Sequence, residues 1–397
     1  MKSKKVLIYA LENINNVGEE FLKKTTEFLI KKASDDFEII SEQLCPNKKQ
    51  VTGLDFVFYC IGTLIKRIGR VFGGNIYFHL INLSYIIKYT NYYTKHIKDN
   101  DYIVLAVGMF KYSTQDFSFV FHLIAKLASK YNKKLMFSAM SIEKGNDNDR
   151  RSIQLRETLN EKSIKLFTTR DGNDGINMLE HDYLKRELRH ITVGDPALWI
   201  PECYAIQKKS KVNNTPFIGI NIIREGIFDD YNKSFTDKKL FDIYVELIRL
   251  LECRKWNWAV FVNGITSDWV VLEKLQNAVG FSEEHIMKCP EGGNEFLKTI
   301  IQFDAIFCAR LHACIASHSL GIPIVSFIWD NKLRFFGQTM GISQFFFESQ
   351  DLTAPKVLSA LESAMQFDVQ NTIKENSKQS TLNSFKEFLL SDSHDSK

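Results

Sequence analysis

The sequence has no strong excess of one charge. Its 397 residues include 51 lysines and arginines against 47 aspartates and glutamates, which gives a formal net charge of +4. A surface this close to neutral provides little electrostatic attraction to nucleic acid, so that class of partner is disfavoured. Charged residues (25%) and hydrophobic residues (45%) occur in ordinary globular proportions. This composition excludes a disordered tail, a fibrous repeat and a membrane-embedded protein.

Paired cysteines and clustered metal ligands are also missing. The seven cysteines are odd in number and widely spaced, and they include no C-x-x-C pair. This pattern argues against a disulfide framework and against a structural zinc site. Because there is no H-x-x-E-H pattern and no cluster of carboxylates, the sequence predicts no metal site.

Long uncharged apolar runs are absent too. The first apolar run, Val6 to Leu11, is too short for a signal peptide and is predicted to be a buried strand. The longest apolar stretch, residues 56–93, is interrupted by Lys66, Arg67 and Arg70. It therefore never reaches the ~20 uncharged residues that a membrane-spanning helix needs. These features favour a cytoplasmic protein.

The stretch 56–93 has two interpretations. Basic residues beside isoleucine, leucine, valine and phenylalanine could hold it on an anionic membrane surface, which would make the protein peripheral at the inner face of a membrane. The alternative is a core helix with one solvated basic face. We favour the core helix, because runs of charge on helices usually face water.

Both halves of the chain show short apolar strands alternating with helical patterns, as in parallel α/β sheets. The predicted strands are residues 4–10, 101–108, 133–140 and 165–171, then 216–223, 256–263, 303–310 and 322–328. The predicted fold class is α/β, with two Rossmann-like domains and an interdomain cleft. In such a fold, ligands bind at the carboxyl ends of the strands.

The predicted domain boundaries follow from composition. The polar segment 201–215, flanked by prolines, is predicted to be a linker between an N-terminal α/β domain (1–200) and a C-terminal α/β domain (216–369). Residues 370–397 are predicted to form a polar C-terminal tail.

The segment 308–332, CARLHACIASHSLGIPIVSFIWDNK, is the most informative part of the sequence. Arg310 ends a predicted buried strand, His312 lies in the first turn of the next helix, and Lys332 follows the next strand. A helix N-terminus beside a guanidinium suits a phosphate or a carboxylate. The alternative is purely structural, with the arginine paired to a local carboxylate and the histidine acting as a cap.

This segment resembles the C-terminal motif of the polysaccharide pyruvyl transferase family. Further segments resemble that family in chain order. They are Asn16-Val17-Gly18-Glu19 (an N-x-G-D loop with Glu in place of Asp), Thr169-Arg170-Asp171, Gly194-Asp195-Pro196-Ala197, the strand ending in Arg224 and the loop carrying Asp268.

The resemblance implies a fold similar to two-domain GT-B glycosyltransferases. It also implies transfer of the enolpyruvyl group of phosphoenolpyruvate to a saccharide or lipid-linked oligosaccharide, forming a pyruvate ketal on cell-surface polysaccharide. Phosphoenolpyruvate would be the donor substrate, and no cofactor would be needed. The C-terminal domain would bind the donor and the N-terminal domain the acceptor.

The resemblance assigns expected roles to the matched residues. Arg310, Arg224 and Lys332 would hold the phosphate and carboxylate of the donor. His312 would contact the phosphate and transfer a proton to the leaving group. The expected base towards the sugar is one of Asp171, Asp195 and Asp268. The remaining expected substrate-binding residues are Asn16, Gly18, Glu19 and Arg170.

One segment departs from the family pattern. Many members have a glycine-rich loop after the strand equivalent to 101–108, whereas here Gly108 is followed by Met109, Phe110 and Tyr112. The change implies either a differently shaped acceptor pocket or a non-catalytic saccharide-binding or scaffold protein. A second alternative is a GT-B glycosyltransferase that uses a nucleotide sugar, although no acidic pair is placed to hold a ribose.

Overall fold

The protein is described here by a computed structural model of its full chain. The structure describes residues 4–11, 16–72, 74–113, 116–208, 215–231, 235–368 and 371–391. Residues 209–214 of the predicted linker, and residues 370 and 392–397 of the predicted tail, lie outside these ranges.

The chain divides into two compact units. Unit 1 comprises residues 1–12, 26–193 and 380–397, and unit 2 comprises residues 13–25 and 194–379. This division differs from the predicted boundaries in three places. Residues 13–25 belong to unit 2, unit 2 resumes at residue 194 instead of residue 216, and residues 380–397 belong to unit 1. Contacts that are distant in sequence decide this membership, and composition does not reveal them.

Unit 1 contains a seven-stranded sheet in which each recorded pairing is parallel. The strands are β1 (Lys4–Ala10), β2 (Phe37–Gln43), β3 (Tyr102–Leu105), β4 (Met109–Phe110), β5 (Lys134–Ile142), β6 (Ile164–Thr169) and β7 (His190–Thr192). Their order is β2-β1-β3-β5-β6-β7, and β4 pairs with β5.

The helices of the first half cover this sheet. They are α1 (Val17–Ala33), α2 (Gly53–Gly69), α3 (Gly74–Lys98), α4 (Phe117–Lys130), α5 (Arg150–Thr158) and α6 (Gly172–Met178), the last continuing as a π-helical turn, Leu179–Tyr183. Helix α1 begins in unit 2 and ends in unit 1. The core of unit 1 lies between the sheet and helices such as α4, whose phenylalanines at 117, 119 and 121 are buried.

Unit 2 contains a five-stranded parallel sheet with order β12-β11-β10-β8-β9. The strands are β8 (Phe217–Asn221), β9 (Asn257–Phe261), β10 (Ala305–Cys308), β11 (Ile324–Ile328) and β12 (Phe346–Glu348). The helices are α7 (Ile200–Cys203), α8 (Ile227–Tyr231), α9 (Asp237–Cys253), α10 (Thr266–Val279), α11 (Gly293–Ile300), α12 (Leu311–Ser319), α13 (Asn331–Thr339) and α14 (Ala354–Gln366). The last helix, α15 (Asn371–Leu390), begins in unit 2 and ends in unit 1. Short 3₁₀ turns are Pro196–Trp199, Glu283–His285, Ser343–Phe345 and Ser349–Asp351.

The predicted fold class is confirmed, because both units are α/β layers built on parallel sheets. Each of the eight predicted strands overlaps an observed strand. The two-residue strand β4 was not predicted. Strands β2, β7 and β12 were not predicted either. They lie at sheet edges and are only partly buried, so their sequences lack the continuous apolar run that marks the central strands.

The favoured interpretation of residues 56–93 as a core helix is wrong for α2. This helix forms a hairpin with α3, and its buried residues are Gly62 and Gly69. Much of its apolar side-chain surface faces solvent. Among the described residues, no helix combines the length and the apolar character needed to cross a bilayer.

The C-terminal segment also differs from the predicted polar tail, because residues 371–390 form helix α15. The side chains of Leu382, Phe385, Phe388 and Leu389 are buried, and the Phe388 ring meets Tyr102 edge-on at a centroid distance of 5.5 Å. Spacings of three and four place these residues on one helical face. That face is easily overlooked between the surrounding serine, lysine and asparagine residues.

Candidate functional site

The carboxyl ends of four neighbouring strands in unit 2 each lead into a segment that carries a predicted site residue. Arg224 follows β8, Asp268 follows β9, Arg310 follows β10 and Lys332 follows β11. Parallel strands end at the same edge of a sheet, so these side chains originate at one edge.

Arg310 and Asp268 form a buried ion pair at this edge. The Arg310 Nε donates to Asp268 Oδ2 at 2.7 Å, and Nη2 donates to Oδ1 of the same carboxylate. The Asp268 side chain is fully buried, whereas Arg310 keeps 16% of its side-chain surface exposed. The two-point contact fixes the plane of the guanidinium. Among the residues that the structure describes, none accepts a hydrogen bond from Nη1, the remaining amino group of Arg310.

A buried asparagine positions the backbone that precedes α12. The Asn221 Oδ1 accepts from the backbone N–H groups of Ala309 and Arg310 at 3.3 and 3.1 Å. Its Nδ2 donates to Asn263 Oδ1 at 2.9 Å. Asn221 thus joins the ends of β8, β9 and β10 through one side chain.

The N-terminus of α1 reaches the same place. The backbone N–H of Val17 donates to the Asn263 carbonyl at 3.2 Å, and Asn16 Oδ1 accepts from the Gly18 N–H at 3.2 Å. A Cβ added to Gly18 would overlap His312 Nδ1 and lie 2.6 Å from Cγ of that imidazole. The structure therefore brings the Asn16–Gly18 loop and His312 together, and only glycine fits between them.

The segment around Asp195 packs on the same helix. Asp195 is buried and caps the 3₁₀ turn Pro196–Trp199 by accepting from the Ala197 N–H at 2.8 Å. That turn contacts α12. Glu19, next to Gly18, is buried as well. The side chain of Asp195 therefore has a structural role, because it accepts a hydrogen bond from the Ala197 N–H.

Two further cations lie at the rim of this group. The backbone N–H of Arg224 donates to Asp268 Oδ1 at 2.9 Å, which places Arg224 beside the ion pair. Lys332 lies 3.5 Å from Asp330 and 4.6 Å above the Trp329 ring. The Trp329 indole donates to the Ala309 carbonyl at 2.7 Å, so Lys332 is connected to the Arg310 segment through this tryptophan.

The predicted cations are therefore not three isolated charges. Arg310 pairs with Asp268, and Lys332 lies near Asp330. A paired guanidinium attracts an anion less strongly than a lone one. The backbone N–H groups in the first turn of α12, which have no intrahelical acceptor, add a second source of positive potential.

Arg170 and Asp171 lie in unit 1, at the end of β6. Arg170 Nη2 donates to the Gly108 carbonyl at 2.9 Å, and its Nε donates to Ser141 Oγ at 3.3 Å. Asp171 accepts from Ser141 Oγ at 2.8 Å and from the Ile142 N–H at 2.7 Å. These contacts join the end of β6 to the end of β5.

The carboxyl group of Asp171 is unusual in its environment. It is buried, and the resulting loss of hydration raises its pKa from 3.8 to about 6 against the opposing effect of its hydrogen bonds. A carboxyl with this pKa exchanges its proton close to neutral pH. Such a group is suited to accept a proton from a substrate.

The segment that departs from the family pattern is part of the core of unit 1. Gly108 has a positive φ of 65°, and Met109–Phe110 form β4. The Phe110 ring is fully buried among Phe137, Phe167 and other aromatic rings. The bulky residue at 110 thus packs inward, against the sheet.

Sequence analysis missed three residues that shape the site, namely Asn221, Asn263 and Trp329. Asn221 is the last residue of an otherwise apolar strand, which is a signal for a polar group at a strand end. Asn263 and Trp329 follow strands in the same way. Among the described residues, no group of three or more histidines, cysteines, aspartates or glutamates is arranged to hold a metal ion.

Solved structures with the same fold include sugar-nucleotide enzymes. UDP-GlcNAc 2-epimerase from Methanocaldococcus jannaschii aligns with a TM-score of 0.56 and 14% identity over 96% of this chain and 98% of its own. The UDP-GlcNAc 2-epimerase from Neisseria meningitidis, bound to UDP-GlcNAc, aligns with a TM-score of 0.55 and 10% identity over 98% of this chain and 100% of its own. An apo structure of OtsA aligns with a TM-score of 0.54 and 11% identity over 98% of this chain and 99% of its own. At these identities the likeness establishes the GT-B fold, which confirms the expected fold class.

Comparison of the amino-acid sequence with protein-family models shows which family the chain belongs to. No curated relative matches it significantly. The family model described as polysaccharide pyruvyl transferase matches residues 16–331, a range that includes the Asn16–Gly18 loop and ends just beyond the Arg310–His312 segment. The chain therefore belongs to the polysaccharide pyruvyl transferase family.

Proposed function

We propose that the protein transfers pyruvate from phosphoenolpyruvate to a saccharide as a ketal, in the synthesis of cell-surface polysaccharide. The observation that carries this proposal is the Arg310 guanidinium, held by Asp268 at the N-terminus of α12 inside the segment that matches the family. Both substrate classes remain proposals for this chain.

The donor would bind at the carboxyl edge of the unit 2 sheet. The Nη1 group of Arg310 and the first-turn N–H groups of α12 would contact the phosphate, because they provide donors in a fixed arrangement. Arg224 would contact the carboxylate of the donor, since its backbone lies next to Asp268. Lys332 would add a flexible positive charge from the rim.

Ketal formation needs two new bonds from sugar oxygens to C2 of phosphoenolpyruvate, the first made by addition and the second by displacement of phosphate. A proton adds to the methylene carbon while one sugar hydroxyl adds to C2, and that hydroxyl loses its proton to a base. A second hydroxyl then displaces phosphate from C2, which breaks the C2–O bond to phosphorus, and this hydroxyl also loses its proton. The two protons lost by the hydroxyls balance the one added to the methylene carbon and the one added to the departing phosphate, so the products are the cyclic ketal and inorganic phosphate. We assign to His312 the proton delivered to the departing phosphate, because it lies in the first turn of α12.

The three aspartates take different proposed roles. The expectation that Asp268 acts as the base gives way to a positioning role, because its carboxylate is ion-paired with the Arg310 guanidinium, whereas the Asp171 carboxyl accepts from a neutral hydroxyl and a backbone N–H. Asp195 is a helix cap and a positioning residue in the same sense. Asp171, with its pKa raised to about 6, remains the proposed base.

Thermal unfolding with added ligands tests this function. A ligand that binds only the folded protein raises the apparent melting temperature. We expect phosphoenolpyruvate to raise it and UDP or GDP to leave it unchanged. The opposite result would favour a nucleotide-sugar glycosyltransferase, and no shift with either ligand would favour a non-catalytic saccharide-binding protein. Both of these outcomes contradict the proposal.

A further inference from the structure

The surface of the α2–α3 hairpin is unusually apolar. Of fifteen large hydrophobic side chains that are exposed among the described residues, twelve lie between positions 54 and 86. They are Leu54, Phe56, Val57, Ile61, Leu64, Ile68, Val71, Phe72, Ile76, Tyr77, Leu83 and Ile86. An apolar patch of this density on a globular protein marks an interaction surface.

The exposed residues of α2 form a continuous stripe. Leu54, Val57, Ile61, Leu64 and Ile68 follow one another at spacings of three and four, which is the repeat that places side chains on one helical face. In most surface helices such a face is buried against the core. Here the same spacing points outward, so the stripe is not explained by the folding of the hairpin.

The opposite face of α2 makes the packing contacts of this helix. Gly62 approaches α3 so closely that an added Cβ would lie 2.5 Å from the carbonyl oxygen of Ser84. Lys66 on α2 pairs with Asp116 and contacts the Tyr85 hydroxyl at 3.0 Å. Helix α2 is therefore held against α3 by its glycine side and against the start of α4 by Lys66, and the apolar stripe remains available.

Charge identifies the partner. Residues 56–98 contain six lysines and arginines and no aspartate or glutamate. Arg67 and Arg70 are exposed on α2 and at its C-terminal end, next to the highly exposed Val71. Apolar side chains beside uncompensated basic residues match a lipid bilayer with anionic headgroups, in which the former enter the acyl boundary and the latter contact the phosphates.

A second copy of the chain is a poorer match for this surface. Two copies in face-to-face contact would bring the same cationic segments together, and the single carboxylate of the two hairpin helices, Asp55, cannot compensate for six basic residues. Like charges across an interface are unfavourable. An anionic bilayer has the opposite charge and can accommodate the whole stripe.

We propose that the α2–α3 hairpin docks the protein on an anionic membrane surface, with the Leu54–Ile68 stripe inserted at the boundary between headgroups and acyl chains. This inference stands apart from the proposed reaction, because it concerns the hairpin alone and can be tested without donor or acceptor. It would bring the enzyme to an acceptor carried on a lipid.

Vesicle co-sedimentation of the full chain tests the proposal. We expect wild-type protein to sediment with phosphatidylcholine vesicles that contain phosphatidylglycerol, to bind pure phosphatidylcholine vesicles weakly, and to dissociate as salt is raised. Absence of binding to the anionic vesicles at low salt would overturn the proposal. Equal binding to both vesicle types would overturn the role of charge.

Matched variants separate the two contributions. The double variant with L64S and I68S should bind the anionic vesicles at least about tenfold more weakly than the wild-type protein. The double variant with R67E and R70E should show a loss of the same size. The controls are V270S, an exposed apolar residue of unit 2, and the pair K162E and K165E, exposed lysines of unit 1 with the same change in charge. Equal losses in test and control variants would contradict the proposal.

Light scattering distinguishes the remaining outcome. If L64S and I68S convert an oligomer to a monomer while the wild-type protein ignores vesicles, the stripe is an interface between copies and the proposal is wrong. Because the substituted side chains are exposed, we expect all of these variants to keep the wild-type circular dichroism spectrum and melting temperature.

Discussion

At the scale of single residues, the contact between Gly18 and His312 connects two segments that are almost 300 positions apart in the sequence. The imidazole occupies the space that any side chain at position 18 would need. Sequence analysis identified both residues through the family resemblance. It could not predict that they touch, because no local pattern records which loop meets which helix.

Replacing Gly18 by alanine tests this contact. We expect Gly18→Ala to lower the free energy of unfolding by about 1–3 kcal/mol, since the added methyl group displaces the imidazole. In a His312→Ala background the same change should cost almost nothing. Chemical denaturation of the four proteins in this double-mutant cycle measures the coupling. Additive effects would contradict the close approach of the two residues.

The buried carboxyl of Asp171 predicts a pH dependence of stability. Its pKa is higher in the folded protein, about 6, than the unfolded value of 3.8. Its stabilising contribution is therefore complete below about pH 4 and is lost as the pH rises through 6. Compared with Asp171→Asn, the wild-type protein should lose on the order of 3 kcal/mol over this interval.

Denaturation at a series of pH values measures that difference. The neighbouring exposed residue provides a control, because Asp174→Asn should show no such difference from the wild-type protein. A wild-type protein that gained stability relative to Asp171→Asn between pH 4 and 6 would contradict the assignment.

At the scale of secondary-structure elements, the sequence predicted the central strands well because they are nearly continuous apolar runs. It also placed Arg224, Asp268, Arg310 and Lys332 after such strands. The order of the strands in the sheet could not be derived in this way. That order places β8 between β9 and β10, which allows Asp268 to pair with Arg310.

Asn221 is the residue that holds these strand ends together. Replacing it with alanine leaves the Ala309 and Arg310 N–H groups and the Asn263 side chain without their partner. We expect Asn221→Ala to destabilise the protein by about 1–3 kcal/mol, because buried polar groups lose hydrogen bonds.

A comparison with Asn257→Ala makes this prediction specific. Asn257 begins β9 and is exposed, so its replacement should change stability by less than about 0.5 kcal/mol. Equal destabilisation in urea for the two variants would argue against a special role for Asn221.

At the scale of the whole molecule, the fold and the family are established, whereas the donor and the reaction are proposals. The same fold is found in UDP-GlcNAc 2-epimerases, so the fold alone does not determine the donor. The donor must be recognised by the side chains at the carboxyl edge of the unit 2 sheet. Arg310 is the group at this edge whose geometry is most closely defined.

Calorimetric titration of the full chain with phosphoenolpyruvate tests the central claim most directly. We expect saturable binding by the wild-type protein and by Arg254→Lys, a control at the opposite end of the unit 2 sheet that pairs with Glu362. We expect Arg310→Lys to bind at least about tenfold more weakly, because an ammonium group cannot replace the planar guanidinium held by Asp268. Unchanged affinity in Arg310→Lys, or no binding by the wild-type protein, would contradict the proposed donor site.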